Sequence, residues 1–357
     1  MSRAVRFFGE INPTGAGRFT ESAFFAMHRQ RPRGTLVEYF DRGRENHARR
    51  LVALGRGAGG ATLLFWRMEV ASMPLLPGRR IGWLFFETDR LPPRWIDEMR
   101  AFDELWMPSG WARDVLIEHG IDESRVRVVE GGVDPRVFHP RPLAHEGFSF
   151  LLVGKYEGRK SVDEVIAAFR EEFPPGRNRD VSLVLKVDHL IFGDRIQSLI
   201  ARHADDPRIR FVTGQIPDHE MAALYNRSDA FVLPTKAEGF GLPTIEALAC
   251  GVPVVTTDYS AQTAFLGHVP GLFHPVEYDL RPIEDPDYAH FYGSEYAGTP
   301  FGRWAVPRPA SLRAAMREVY DNAGTWKDRA GRASEIIRAR FAWDEIARKI
   351  YSTLGPT

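Results

Sequence analysis

The sequence predicts an α/β protein with two doubly wound parallel sheets in succession, and three observations support this fold class. Short apolar runs alternate with amphipathic helical patterns through most of the 357 residues, as is typical of parallel strands covered by helices. The alternation stops at a proline-rich stretch and then begins again. A hydrophobic content of 44% with 26% charged residues is that of a soluble globular chain, and the length suits two domains.

The first half of the chain contains six apolar runs that predict strands. They are residues 5–8, 35–40, 61–66, 81–86, 105–107 and 126–129. Helical patterns lie between most of these runs, so that strand, helix and strand follow in order. We therefore predict a Rossmann-like N-terminal domain over residues 1–140.

A proline-rich, irregular stretch separates this domain from the next, and we assign residues 141–147 as the linker. The alternating pattern resumes and predicts a second domain over residues 148–340. Its predicted strands are residues 148–153, 181–186, 208–212, 230–235 and 252–256. Residues 273–308 are rich in proline, tyrosine and glycine, and predict an irregular insertion. A final helical pattern covers residues 341–355.

Charge and cysteine content exclude several classes of protein. Lysine plus arginine equals aspartate plus glutamate at 47 each, so the whole chain has no bias toward nucleic acid or membrane. Residues 29–50 form a modest basic patch, which is either a solvated face or a contact for an acidic membrane surface or a lipid-phosphate acceptor. The single Cys250 cannot form an internal disulfide and is expected to be buried. No apolar run suggests a signal peptide or a membrane span, so we expect a cytoplasmic protein.

The most informative segment runs from Glu238 to Gly251, where two carboxylates lie eight positions apart around a glycine turn. A buried strand precedes the turn and a helix follows it. Backbone N–H groups from Phe240 to Leu242 would then lie at the positive end of a helix dipole, a site suited to phosphate. We interpret Glu246 as a residue of the first helical turn that, like Glu238, accepts hydrogen bonds from hydroxyls beside that phosphate. The alternative is a loop residue at Glu238 and a surface residue at Glu246.

A second segment, from Leu152 to Ser161, ends a strand at Gly154 and carries Lys155, Arg159 and Lys160 in a short loop. Ser161 and Glu164 match a capping box for the helix behind it. The apolar stripe of that helix is formed by Val162, Val165, Ile166 and Phe169. Two lysines beside helix N–H groups suit a pyrophosphate, and a solvated loop is the alternative.

The first domain offers weaker candidates. The loop 11–18 contains Gly15 and Gly17 and leads to a helix predicted to begin near Phe19. These glycines would let the backbone approach an anionic ligand, or they are required by a tight turn. Glu87 follows a predicted strand and would orient an acceptor hydroxyl or a donor sugar; the alternative is a helix cap nearby.

Metal and cofactor signals are weak. Asp285-Pro-Asp287 resembles the paired aspartates of metal-dependent sugar transferases, but it lies in the irregular insertion. No other cluster has metal-ligand spacing. We therefore expect no metal and no cofactor.

Taken together, these segments resemble the retaining glycosyltransferases of family 4, which have the GT-B architecture. That architecture has two facing Rossmann-like domains with an interdomain cleft and a C-terminal crossover helix that completes the first domain. The most specific part of the resemblance is Glu238-Gly-Phe-Gly-Leu-Pro-Thr-Ile-Glu246 with the residues that follow it. Gly154-Lys155 with Lys160, and the closing helix from Phe341, support it.

The resemblance implies roles for individual residues. Glu238 would contact hydroxyls of the donor sugar, Glu246 the nucleotide ribose, and Lys155, Arg159 and Lys160 the pyrophosphate. The loop Gly239-Phe240-Gly241-Leu242 would present amides to the distal phosphate. Gly15, Gly17 and Gly154 align with donor-binding loops, and Thr213, Gln215 and Ile216 with the backbone region that recognises the base. Lys155 stands where the family often has arginine, and Glu87 where many members have a histidine.

The implied activity is retaining transfer of a sugar from a UDP- or GDP-linked donor to a saccharide, lipid-linked or other glycoconjugate acceptor. Polysaccharide biosynthesis is the implied context, without nucleic acid as a partner. Two alternatives stay open. One is a nucleotide-sugar epimerase of related architecture, and the other is an inactive nucleotide-binding partner subunit.

Overall fold

The computed structural model describes residues 3–55, 59–65, 75–141, 143–176, 180–188, 193–288 and 302–355. The chain divides into two compact units. Unit 1 contains the described residues up to Gly132 together with those from Phe341 onward. Unit 2 contains the described residues between Val133 and Arg340.

Unit 1 is a parallel six-stranded sheet with the order β2-β1-β3-β4-β5-β6. Its strands are β1 (Arg3–Gly9), β2 (Thr35–Asp41), β3 (Ala61–Phe65), β4 (Arg79–Trp83), β5 (Glu104–Met107) and β6 (Val126–Val128). Its helices are α1 (Gly15–Arg29), α2 (Glu45–Ala53), α3 (Pro93–Met99), α4 (Gly110–Glu118) and α12 (Trp343–Leu354). All six predicted strands are present. Residue 66, which we included in the third, lies outside the described residues.

The closing helix α12 packs on α1 within unit 1. The Trp343 ring meets Phe19 edge-on, with ring centroids 4.9 Å apart. The Tyr351 hydroxyl donates to the Met27 carbonyl at 2.7 Å, and Arg29 pairs with Asp344 at 2.7 Å. The apolar stripe of the closing helix therefore covers the first helix of the chain.

Unit 2 repeats the architecture, with the parallel order β12-β11-β10-β7-β8-β9. Its sheet strands are β7 (Phe148–Lys155), β8 (Val181–Asp188), β9 (Ile209–Val212), β10 (Ala230–Leu233), β11 (Val254–Thr256) and β12 (His274–Pro275). Its helices include α5 (Val162–Glu172), α6 (Gly193–Arg202), α7 (Asp218–Asn226), α8 (Leu242–Ala249), α9 (Thr263–Leu266), α10 (Pro309–Asp321) and α11 (Ala323–Arg340). Because β7 and β10 are neighbours, the loops that follow them start at one edge of the sheet.

The segment 273–308 is more regular than we predicted, in the part that lies within the described residues. Besides β12, it contains an antiparallel ribbon of β13 (Tyr278–Pro282) and β14 (Arg303–Pro307). Proline is tolerated at strand ends and at sheet edges, which is why a proline-rich sequence still forms strands here. The Ala305 N–H donates to the Lys236 carbonyl at 2.9 Å, so the ribbon is bonded to the loop that follows β10. Residues 289–301 lie outside the described residues.

Two surface expectations can be compared with the structure. Within the described residues, no helix combines the length and apolarity that crossing a bilayer requires. In the basic patch, several arginines have acidic partners, which reduces the positive charge of that face. The pairs are Arg29 with Asp344, Arg42 with Glu10, Arg44 with Asp41 and Arg49 with Glu45.

Cys250 is buried at the end of α8 and is a free thiol, as we predicted. Burial, reinforced by the nearby Glu246 carboxylate, raises the pKa of the thiol to about 12. At neutral pH the residue is therefore a small neutral side chain, not a nucleophile.

Candidate active site

Three loops at the carboxyl edge of the unit 2 sheet form the candidate site. The loop after β7 makes a 3₁₀ turn at Gly158–Lys160, the loop after β10 carries Glu238, and the loop after β11 makes a second 3₁₀ turn at Ser260–Gln262. Because all three strands are parallel and adjacent, residues far apart in the sequence meet at this edge.

Glu238 is a buried carboxylate held by two cations. Its Oε1 lies 2.6 Å from Lys160 Nζ, and its Oε2 lies 3.3 Å from Arg159 Nη1. Arg159 also donates to the Ala237 carbonyl at 2.7 Å. The side chains of Glu238 and Lys160 are only 6% and 7% exposed. Burial by itself raises the pKa of Glu238, but the charges of Lys160 and Arg159 outweigh it and lower that pKa below its ordinary value.

The ion pairs continue outward along the same turn. Glu157 lies 3.1 Å from Arg159 and 3.4 Å from Lys155. Burial opposes ionisation of Glu157, but Arg159, Lys155 and Lys160 outweigh it and lower its pKa to about 2. The five side chains form a row of alternating sign with three cations and two carboxylates. This row carries one net positive charge, which favours the binding of an anion.

Lys155 and Lys160, which we predicted to act together on a pyrophosphate, differ in their exposure to solvent. Lys160 is buried, and its stem lies against Gly154, with methylene carbons 3.4 Å from the point where a Cβ on that glycine would sit. The Lys155 side chain is 40% exposed. The solvated-loop alternative is therefore wrong for Lys160 and Arg159, and it describes only the outer lysine.

The predicted capping box at Ser161 and Glu164 is also wrong. Ser161 precedes α5 as predicted, but its φ of 54° is left-handed, and its hydroxyl makes no hydrogen bond to the helix. The Ser161 Oγ is buried without a partner. Glu164 instead pairs with Lys236 at 2.8 Å. The 3₁₀ turn that delivers Lys160 imposes this backbone conformation, so the serine side chain cannot reach the N–H groups that a capping box requires. The apolar stripe of α5 is buried as predicted.

Helix α8 begins at Leu242, after Gly241 at a φ of 99°, a conformation that favours glycine. The N–H groups of Gly241 and Leu242 therefore lie at the start of a helix, three and four residues beyond Glu238. Gly239 is buried. Phe240 is buried too, and its ring packs edge-on against Phe265 at 5.4 Å. Apolar packing of Phe240 on Phe265 thus holds the loop in place.

Glu246 lies one turn deeper in α8 than we predicted, because it is the fifth residue of the helix and not part of the first turn. It is 5% exposed, and the Tyr225 hydroxyl donates to its Oε2 at 3.0 Å. A surface role for Glu246, the alternative we considered, is therefore wrong. Burial with a hydroxyl partner matches a carboxylate that binds hydroxyl groups.

The segment Thr213–Ile216 follows β9 at the same sheet edge and is largely exposed. Within it, Gly214 adopts a φ of 80° and donates its N–H to Asp188 Oδ1 at 2.7 Å. Gln215 is exposed and Ile216 is half-buried. The other oxygen of Asp188 pairs with the buried Lys186.

The glycines of unit 1 differ from expectation. Helix α1 begins at Gly15, with Thr14 as its cap, and not near Phe19. A Cβ on Gly17 would lie 2.3 Å from both the carbonyl and the side-chain oxygen of Asn12. The space beside Gly17 is thus filled by the chain itself, which matches the tight-turn alternative, whereas nothing lies within 4 Å of the corresponding point on Gly15.

Glu87 lies in the loop that follows β4 in unit 1. Because that strand ends at Trp83, Glu87 is four residues beyond the sheet and not directly at the strand end as we predicted. It is half-buried, between the buried Phe86 and Thr88.

The aspartates of Asp285-Pro-Asp287 have structural partners. Asp285 Oδ1 accepts the N–H groups of Asp287 and Tyr288, both at 2.9 Å, and Asp287 pairs with Arg195. Both line a cavity of about 490 Å³ that also includes Tyr156 and Arg202 but not Glu238, Lys160 or Glu246. Within the described residues, no group of three histidine, cysteine or acidic side chains is arranged to hold a metal ion.

Sequence reasoning missed Tyr225, Ser260 and Gln262. All three are buried, and each contacts the signature segment from an element far away in the sequence. For Ser260 and Gln262 the sequence contains a signal, the polar run Thr256-Thr-Asp-Tyr-Ser-Ala-Gln-Thr263 at the end of a buried strand, since such a run is expected at the ligand edge of a parallel sheet.

Known proteins resemble this chain in sequence. Residues 136–269 match the family described as Glycosyl transferases group 1. The chain is 31% identical over 152 residues to an O-antigen chain mannosyltransferase B of Escherichia coli, which covers 41% of this chain and 39% of that protein. It is 28% identical over 280 residues to a glycogen synthase of Mycobacterium tuberculosis, and the matched region covers 76% of this chain and 58% of that protein. The chain thus matches less than two thirds of the length of each of these relatives.

Solved structures match over the whole chain. Sucrose-phosphate synthase from Thermosynechococcus elongatus gives a TM-score of 0.70 at 15% identity and covers 98% of both chains. Anabaena HepE in complex with UDP and glucose gives a TM-score of 0.71 at 14% identity and covers 100% of both. At these identities the likeness establishes the fold alone, which is the GT-B fold. The family match covers residues 136–269, so the part of the chain that contains the loops after β7 and β10 is similar to the group 1 glycosyltransferases.

Proposed function

We propose that the protein transfers a sugar from a nucleoside diphosphate donor, UDP- or GDP-linked, to a hydroxyl of a saccharide, lipid-linked or other glycoconjugate acceptor, with retention at the anomeric carbon. The observation that carries this proposal is Glu238, a buried carboxylate bound by Lys160 and Arg159. Gly241, three residues farther along, caps helix α8, which begins at Leu242. A hydroxyl-binding group and an anion-binding group therefore lie side by side.

Each part of the donor has a candidate partner in unit 2. Glu238 accepts hydrogen bonds from hydroxyls of the transferred sugar, and Glu246 accepts them from the ribose. Lys160, Arg159 and the N–H groups at the start of α8 bind the phosphates. The segment Thr213–Ile216 contacts the base. Burial of Glu238 and Glu246 supports these roles, since carboxylates shielded from water bind hydroxyls more strongly.

The row of alternating charges suits a reaction in which negative charge grows on the leaving group. As the bond between the anomeric carbon and the phosphate oxygen breaks, the pyrophosphate gains charge, and Lys160 and Arg159 are already fixed beside it. Fixed cations in a water-poor site stabilise such charge without rearranging. When the donor binds, its sugar hydroxyls donate hydrogen bonds to Glu238. The carboxylate then offsets less of the Lys160 charge, so that more of this charge acts on the phosphate.

Retention follows when the acceptor oxygen attacks the same face that the phosphate leaves. The bond from carbon to phosphate oxygen breaks, the bond from carbon to acceptor oxygen forms, and the departing phosphate oxygen takes the acceptor proton. No separate general base is then needed. The resemblance to family 4 supports this course of reaction.

We propose that the reaction needs neither a metal ion nor a cofactor, because Lys160 and Arg159 supply the positive charge that a divalent ion would otherwise provide. Transfer is expected to continue at full rate in the presence of EDTA. Loss of transfer on chelation, restored by Mg²⁺ or Mn²⁺, would contradict this part of the proposal.

The first experiment is calorimetric titration with UDP and with GDP, followed by transfer assays with donors of the base that binds. Glu238→Ala and Lys160→Ala are expected to lower transfer by at least two orders of magnitude. The matched control is Arg170→Ala, which breaks a surface pair with Asp205 in the same unit and should leave transfer unchanged.

The outcomes separate the candidate functions. Transfer that survives both site substitutions within a few-fold would show that the site is misassigned. A donor sugar isomerised without acceptor would identify an epimerase. UDP or GDP binding without turnover over a broad donor and acceptor panel would identify a non-catalytic partner subunit.

The basic patch of unit 1, residues 29–50, motivates a second proposal: the protein contacts an acidic membrane surface that presents a lipid-linked acceptor. Cosedimentation with vesicles that contain 30% anionic lipid, compared with neutral vesicles, tests it. Because several patch arginines are paired with carboxylates, equal and negligible binding to both would identify a solvated face. A cytoplasmic location stays a prediction from the sequence.

A further inference from the structure

The 3₁₀ turn at Ser260–Gln262 contacts both ends of the loop that carries Glu238. At one end, Ser260 Oγ accepts the Glu238 N–H at 2.8 Å and donates to the Tyr259 carbonyl at 2.6 Å. The next residue, Ala261, donates its N–H to the Glu238 carbonyl at 3.3 Å. The peptide groups on both sides of the Glu238 Cα are thus fixed by one neighbouring turn.

At the other end, Gln262 connects the start of α8 to the strand beneath it. Its Oε1 accepts from the Thr244 hydroxyl at 3.3 Å. Its Nε2 donates to Thr256 Oγ1 at 3.2 Å and to the Thr257 carbonyl. The Gln262 side chain lies so close to Gly241 that a Cβ there would be 3.1 Å from it. The Gln262 side chain therefore fixes the distance between the first turn of α8 and the sheet.

Burial of a polar side chain costs free energy, yet Ser260 and Gln262 are both fully buried. Ser260 has a φ of 62°, a conformation that costs a side-chain-bearing residue about 1–2 kcal/mol. An amide or hydroxyl removed from water is tolerated when its hydrogen bonds are made, and a satisfied buried network becomes rigid. The strain and burial are thus offset by bonds made to the loop that carries the candidate site.

We propose that Ser260 and Gln262 are positioning residues of the transfer reaction, with separate targets: Ser260 orients Glu238 against the transferred sugar, and Gln262 fixes the start of α8 against the phosphate. This inference rests on the proposed function. Neither side chain touches the donor, and each acts through a residue that does. Their effects should therefore fall on different parts of the donor.

Ser260→Ala and Ser260→Gly test the first half. Both remove the hydroxyl, and the glycine variant also relieves the left-handed backbone. Each is expected to lower kcat for transfer about tenfold or more, because small errors in the placement of a reacting group are costly. The affinity for UDP or GDP alone should stay within about twofold, since the phosphate contacts are intact.

The chain provides a matched control in Ser161→Gly. Ser161 has nearly the same backbone conformation and is equally buried, but its hydroxyl has no hydrogen-bond partner. The substitution removes the same atoms from the same environment without breaking a bond to the site. Its kcat should match that of the wild type.

Gln262→Leu tests the second half, because leucine has a similar size and cannot make the hydrogen bonds. Affinity for UDP or GDP alone is expected to fall about tenfold by calorimetry. The affinity advantage of the sugar-linked donor over the free nucleotide should stay near the wild-type ratio. Melting of all variants by circular dichroism shows that the measurements are made on folded protein.

The inference is overturned if both Ser260 variants keep wild-type kcat, or if they weaken nucleotide binding as much as they weaken transfer. It is also overturned if Ser161→Gly loses as much activity as Ser260→Gly. Failure of the proposed function has a different appearance, because the wild type itself would then neither bind UDP or GDP nor transfer sugar.

Discussion

Removal of the Glu238 carboxylate should destabilise unit 2, because it leaves Lys160 buried without its main counter-charge. At 2.6 Å and an effective dielectric constant of about 20, the pair attracts by about 6 kcal/mol. Loss of water contacts offsets part of this attraction. Breaking a buried pair from one side typically costs about 3–5 kcal/mol, and we expect Glu238→Ala to fall in that range.

Glu164→Gln provides the control for burial. Glu164 pairs with Lys236 at 2.8 Å, a similar distance, but the side chains are 35% and 15% exposed, against 6% and 7% for Glu238 and Lys160. Exposed pairs contribute about 0–1 kcal/mol. The double variant Lys160→Met with Glu238→Leu removes both charges and should recover most of the lost stability.

The assay is unfolding in urea, monitored by hydrogen exchange at the backbone amides of β7 and β10. These amides report on unit 2 alone. The reasoning is refuted if Glu238→Ala costs less than about 1 kcal/mol, or no more than Glu164→Gln. It is refuted equally if the double variant is less stable than either single variant, since the lone buried charge would then not be the cause.

Three further predictions follow from the geometry. The pKa of Glu157 is lowered to about 2, and that of Glu238 is also lowered, both from an ordinary value of 4.5. The stability that these carboxylates contribute is therefore present above about pH 4.5 and is lost as the pH falls toward 2. Thermal melts across this range should show the loss, and the loss should be smaller in Glu157→Gln. Gly17→Ala should destabilise unit 1 by about 2 kcal/mol or more in urea unfolding, because its Cβ would meet Asn12 at 2.3 Å, while Gly15→Ala should be neutral or better. Ser161→Gly should raise the free energy of unfolding of unit 2 by about 1 kcal/mol, since it relieves a left-handed φ and removes an unpartnered buried hydroxyl; an unchanged or lower melting temperature would contradict this.

Most of the architecture could be predicted from the sequence, because hydrophobic periodicity and turn residues report directly on local structure. The six predicted strands of unit 1 and the five of unit 2 are all present. The boundaries were less accurate: β4 ends at Trp83, three residues before our prediction. Helix α1 starts at Gly15, because the Thr14 cap outweighs the low helix propensity of two glycines.

Predictions that required a side chain's direction were less successful. Ser161 and Glu164 have the spacing of a capping box, but a left-handed backbone removes the motif. Glu246 has the spacing of a partner to Glu238, but it lies one turn deeper and bonds Tyr225. In both cases a letter pattern specifies the residues and their spacing, while the preceding turn specifies their orientation.

The sequence alone determined which residues could form the site. Glu238, Glu246, Arg159 and Lys160 follow from strand, glycine turn and helix patterns, since these patterns depend on neighbours along the chain. Only the tertiary structure decided that Glu238 is bound by Lys160 and Arg159, and that Ser260 holds its peptide. Those contacts join residues 22 to 79 positions apart, and they depend on the order of parallel strands in the sheet, which no local pattern encodes.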